Sequence, residues 1–217
     1  MAAPALKPIA DHGFENNYLL FLIAALAAVF AWSAIRPHDY FTWFLETVQA
    51  MIAIVILAAT YPRFRFTPLV YTLIAAHIAV LCVGGHYTYA EVPLFNWIRD
   101  HFHQARNNYD RVGHFMQGFV PALVARELLI RRKVVRGKWW TVYLVMSICM
   151  AISAMYELFE WRVAVATGSA ADAFLGGQGD PWDTQEDMAT CLIGASCALL
   201  FMTRWHDRQI ARRQLAK

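Results

Sequence analysis

The chain has 217 residues, of which 59% are apolar and 14% aromatic while only 16% are charged, and its mean hydropathy is +0.37. Soluble domains carry nearer a quarter charged residues, so the composition excludes an ordinary soluble enzyme and points to an all-α polytopic membrane protein. The net charge of +3 calls for no nucleic-acid partner.

About 20 apolar residues make one helical crossing, and six runs qualify. Tyr18–Ile35 is the first, after an N-terminal stretch without a small-residue cleavage site. Phe41–Thr60 and Pro68–Gly85 follow, joined by the short turns at 36–40 and 61–65. The polar stretch HYTYAEVPLFNWIRDHFHQARNNYDR comes next. In it Phe95, Trp97, Ile98 and Phe102 recur at helical spacing, which predicts a short helix lying at the membrane interface.

Val112–Ile130 is the fourth run, with Pro121 placed to bend it. Trp139–Trp161 is the fifth, flanked by tryptophans as interface anchors. A loop rich in Gly and Asp leads to the sixth, Met188–Thr203. The whole, residues 1–217, reads as a single integral membrane domain. Residues 205–217 form a basic tail expected to lie as a surface helix on anionic headgroups. Cys82, Cys149, Cys191 and Cys197 all fall within apolar runs and read as packed thiols.

Charge orients the bundle. Arg131, Arg132, Lys133, Arg136 and Lys138 in one loop, with Arg204, Arg208, Arg212, Arg213 and Lys217 in the tail, make up ten of the 19 basic residues. The positive-inside rule puts them in the cytoplasm with both termini. The connections at 36–40, 86–111 and 162–185 then face the periplasm.

That topology gathers a polar cluster at one depth. Asp110 and His114 share a helix face at i, i+4, followed by Gln117 and Gly118; Glu157 and Glu160 close the fifth run; Asp183 and Asp187 open the sixth; His86 ends the third. Charged groups in lipid cost roughly 2.5–3.5 kcal/mol each on insertion scales, so they mark function. Asp110, His114, Glu157, Glu160, Asp183 and Asp187 are the candidate catalytic residues. His86, Asp110, His114, Glu157, Asp183 and Asp187 are candidate ligands for Zn, Mn or Fe. Without a metal, His114 serves as a general base oriented by Asp110 or Glu157. Ser153 lacks a demonstrated base.

The plain alternatives are ion pairs. Arg111 can neutralise Asp110, and Arg162 can neutralise Glu160. Glu127, 13 residues past His114 and so about 20 Å deeper, is expected to pair with Arg131. His77 reads as a packing residue, and His12, His38, His101, His103 and His206 as solvated ones. In Gly176-Gly177-Gln178-Gly179-Asp180-Pro181-Trp182-Asp183 the glycines shape a turn or let a ligand approach, without a nucleotide-loop pattern.

The segments HYTYAEVP at 86–93, NNYDRVGHFMQGFVPALVARE at 107–127, SAMYELFEW at 153–161 and FLGGQGDPWDTQEDM at 174–188 resemble the blocks of the YjdF-like bacterial inner-membrane proteins. The resemblance implies a multi-pass protein of the bacterial inner membrane and supplies no reaction. Its blocks single out His86, Asp110, His114, Glu127, Glu157, Glu160, Asp180, Asp183 and Asp187. A looser likeness to VanZ-like membrane proteins implies cell-envelope chemistry.

Three functions fit the residues: a hydrolase or transferase acting on a lipid-linked or periplasmic small substrate, a proton- or ion-coupled transporter, or a non-catalytic assembly protein. The bilayer is the one partner that all three require.

Overall fold

The computed structural model describes residues 12–168, 172–175 and 177–215, all helix and short connections. The helices are α1 (His12–Ser33), α2 (Tyr40–Thr60), α3 (Pro68–Tyr87), α4 (Pro93–His101), α5 (Tyr109–Arg131), α6 (Lys138–Thr167), α7 (Asp172–Leu175), α8 (Asp183–Cys197) and α9 (Thr203–Leu215), with a 3-10 turn at Tyr89–Glu91. Gly176 and Lys217, part of the loop and tail read from the sequence, lie outside the described residues, as does the side chain of His12.

Local chemistry sets several boundaries. Asp39 caps α2, its Oδ2 accepting from the Thr42 backbone N–H at 2.6 Å. That bond holds the Asp39 carboxyl below its usual range. Proline at the first position starts both α3 and α4, where its missing N–H is no loss.

Five helices are long and apolar enough to cross a membrane by length and composition: α1, α2, α3, α6 and the continuous rod from Asp183 to Leu215. The fourth expected crossing, α5, is not among them; it carries Asp110, Arg111, Arg126, Glu127 and Arg131 as well as His114 and Gln117. It is nonetheless 23 residues long, or about 34 Å at 1.5 Å per residue, enough for a hydrocarbon core of roughly 30 Å. It runs antiparallel to α3: Tyr109 Oη donates to the Val80 carbonyl at one end, and Glu127 meets Thr67 at the other. The sequence of α5 is polar because α3, α6 and α8 surround it. Pro121 sits inside a helix that continues past it.

Small residues let α5 and α8 approach closely. A Cβ on Gly118 would fall on the Cys191 carbonyl and lie 2.9 Å from the Ala195 nitrogen, and one on Gly194 would lie 3.1 Å from the Phe119 nitrogen. Toward the basic end Val70, Ala122, Leu123, Ala125 and Val145 belong to one buried apolar cluster.

The tail is helical but is not a separate surface helix. A π turn at Ala198–Met202 carries α8 into α9. His206 is fully buried and Ile210 nearly so. Gln209 accepts from the Leu69 backbone N–H, and Arg213 donates to the Phe66 carbonyl. The tail thus docks on the start of α3 instead of lying free, and His206 is the opposite of solvated. Its basic residues share one end of the bundle with Arg63, Arg65 and Arg131, while Asp110, Glu157 and Asp187 occupy the other.

Candidate functional site

The acidic end is built on α5. Asp110 stands on its first turn and His114 one turn on, so both project toward α6 and α8. His114 Nε2 lies 3.4 Å from Asp110 Oδ1 and 3.7 Å from Asp187 Oδ1, and its Nδ1 lies 3.8 Å from Glu157 Oε1. Asp110, His114 and Asp187, all buried, offer one ligand atom each within 4.8 Å of one another. His114 Nδ1 and Glu157 Oε1 are buried with no hydrogen-bond partner, as is Ser153 Oγ one turn earlier on α6.

Two arginines hold the acidic start of α8 against α5. Arg111 binds Asp187, reaches Asp183 at 3.1 Å and Glu186 at 2.8 Å, and touches Asp180 at 3.5 Å. Arg106 lies 3.6 Å from Asp110 and 3.3 Å from Asp180, and it also bonds Asp183. Arg111 therefore faces α8 and not its neighbour Asp110, because adjacent helical residues point about 100° apart. Asp183 stands in this arginine clamp, outside the Asp110–His114–Asp187 group.

The other sequence candidates separate in the same way. Glu160 is buried and lines a small cavity with Glu46 and Tyr156, and it stands outside the Asp110–His114–Asp187 group. Arg162 lies against the ring of Trp161. His86 is tied to α1: its Nδ1 is 3.1 Å from the Ser33 carbonyl oxygen, and its ring packs on Trp32 at 4.4 Å between centroids.

The cavity is lined by Glu46, Gln49, His77, Tyr89, Gln117, Tyr156 and Glu160 beside Asp110 and His114. Its ≈ 10 Å³ is about the room one water needs. His77 Nε2 and Gln117 Oε1 are buried and unbonded. Glu46 is the residue that sequence reasoning passed over. A lone carboxylate inside the apolar run of α2, it is almost fully buried and accepts from Tyr156 Oη at 3.4 Å. Its isolation in that run was the available signal. Five carboxylates, Glu46, Asp110, Glu157, Glu160 and Asp187, thus crowd this end, and like charges so close require cations or protons between them.

The two long connections close the site. Asn107 and Gln178 bond reciprocally: the Asn107 N–H donates to Gln178 Oε1, and Gln178 Nε2 donates to the Asn107 carbonyl, both at 2.9 Å. Asn107 Nδ2 also donates to Asn96 on α4. Phe174 of α7 is buried, its ring meeting Phe159 of α6. The positive φ of Gly179, +86°, allows the turn that follows, closed by the Asp180 N–H donating to the Gly177 carbonyl at 2.8 Å.

The family described as predicted membrane protein (DUF2238) matches residues 18–208. The inner membrane protein YjdF of Escherichia coli (strain K12) is 48% identical over 187 residues, covering 86% of this chain and 90% of that one. No solved structure matches.

Proposed function

The chain belongs to the predicted membrane protein family DUF2238, and from that premise we propose an inner-membrane protein whose Asp110–His114–Asp187 centre holds a divalent metal, Zn, Mn or Fe. Its activity is hydrolysis or group transfer on a cell-envelope substrate. The positive-inside rule applied to the basic end puts the centre on the periplasmic side and both termini in the cytoplasm.

One observation carries the reading. Ligand atoms each about 2.1 Å from a shared ion lie roughly 3–4 Å apart, and the 3.4 and 3.7 Å separations of His114 Nε2 from Asp110 and Asp187 fall in that range. Mixed carboxylate and imidazole donors suit Zn, Mn and Fe. A metal at this point supplies Lewis acidity to the substrate. Glu157, whose Oε1 has no hydrogen-bond partner beside His114 Nδ1, is placed to accept a proton. Arg106 and Arg111, engaged by the carboxylates of Asp180, Asp183 and Asp187, hold α8 beside the centre, and the Asn107–Gln178 bonds tie the two connections together.

The competing reading is proton- or ion-coupled transport, favoured by the polar lining that runs on to Gln49, His77 and Gln117. Against it, the buried apolar cluster around Leu123 interrupts any polar path toward the basic end.

Elemental analysis tests the centre. Detergent-purified protein should contain one equivalent of Zn, Mn or Fe, and a His114→Ala/Asp187→Ala variant that still melts cooperatively should contain none. Absence of metal from the parent, even after incubation with each ion, would overturn the reading.

A further inference from the structure

We infer that the groove between α2 and α5 is a binding site for one anionic phospholipid of the leaflet at the basic end. The groove has a volume of 560 Å³ and opens along its side to the surroundings. That size lies within the roughly 300–1,000 Å³ of ordinary ligand sites. α2 packs on α3 but is separated from α5 here, so Ala53, Ile56 and Leu57 face Val124 and Leu128 across the gap, with Ile74 as floor.

Length and charge choose the occupant. The groove runs from Gln117 to Arg132, 15 residues of α5 or about 22 Å. One leaflet contributes about 15 Å of hydrocarbon, with its headgroup region beyond. A single lipid therefore fits with its chain toward the bilayer middle and its headgroup at the mouth. There stand Arg63 and Arg132, the guanidinium of Arg132 lying 5.1 Å from the centre of the Phe64 ring.

The carboxylates at this end are taken: Glu127 by Arg131 and His206, and Asp207 by Arg126. Arg63 and Arg132 thus have no acidic partner among the described residues. Basic pockets between helices on one face of a membrane protein bind anionic headgroups. The groove between α1, α2 and α3 provides the contrast. It is larger, 670 Å³, but no charged side chain lines it, so it should take lipid chains without choosing headgroups.

Native mass spectrometry of the full chain released from nanodiscs of equimolar phosphatidylglycerol and phosphatidylethanolamine tests the site. The parent should retain one phosphatidylglycerol in preference to phosphatidylethanolamine. Retention should fall at least tenfold in Arg63→Ala/Arg132→Ala, and equally in Ile56→Trp, which fills the groove from a position already 55% exposed and so leaves the fold intact. Equal retention of both lipids by the parent would overturn the inference. So would retention that survives in either variant, since charge and groove must act together.

Discussion

The bundle carries two buried polar networks on one helix, and they are finished to different degrees. At the basic end of α5, Glu127 is fully buried and accepts from the Thr67 N–H and Oγ1 and from Arg131 Nη1, with His206 Nε2 at 3.1 Å. Both of its oxygens are satisfied. At the acidic end, about 20 Å away along the same helix, His114, Glu157, Gln117 and His77 each keep a buried polar atom with no bond. A buried unsatisfied group costs roughly 1–3 kcal/mol. On the reading proposed above, the completed network serves stability and the open one is where a ligand binds.

The largest expected effect breaks the finished network. Glu127→Gln leaves Arg131 and His206 without their shared carboxylate, and removing one partner of a buried pair costs about 3–5 kcal/mol. Thermal unfolding in detergent should show a large fall in Tm. Under the same conditions His114→Gln should shift Tm far less while abolishing metal retention. A larger loss of stability from His114→Gln than from Glu127→Gln would reverse the two roles.

Gly118→Ala sharpens the comparison next, because Gly118 lies between His114 and Glu127 at the point where α5 touches α8. Overpacking of this kind costs about 1–3 kcal/mol. The rod that would be pushed away carries both Asp187 and His206. The substitution should therefore weaken both networks, lowering Tm and metal content together. Metal content unchanged at a lowered Tm would show the two ends to be mechanically independent.

The crossings were legible because a membrane span is a local pattern, about 20 apolar residues read off one stretch of chain. α5 was legible for the opposite reason: its charges only make sense if other helices surround it. The meeting of His114 with Asp110 followed from helical spacing, and its meeting with Asp187 and Glu157 from topology. What sequence could not rank was partner choice within the cluster. Asp183 and Asp187 share a face of α8 and both meet Arg111, yet only Asp187, one turn further into the bundle, also reaches His114, while Asp183 is shared with Arg106. His206 was misread because its basic neighbours resemble a solvated tail, and burial there depends on α8 continuing through the π turn to bring the tail back onto Glu127.

The smallest effect concerns the cap that starts α2, the helix that brings Glu46 to the unfinished network. Asp39→Ala removes the acceptor of the Thr42 N–H, and losing such a cap costs about 0.5–2 kcal/mol. The bound N–H holds the Asp39 carboxyl below its usual range, so the charged form favours the fold. That contribution is fully present above the ordinary carboxylate pKa and is lost as pH falls through the lowered value. The Tm gap between parent and Asp39→Ala should therefore be constant near neutrality and close only in acid, below the range where free aspartate titrates. A gap that persisted there would mean that Asp39 acts through packing and not through its charge. Because the cap touches neither Glu127 nor His114, metal content should stay at the parent's level throughout, which separates a modest loss of stability from damage to the site.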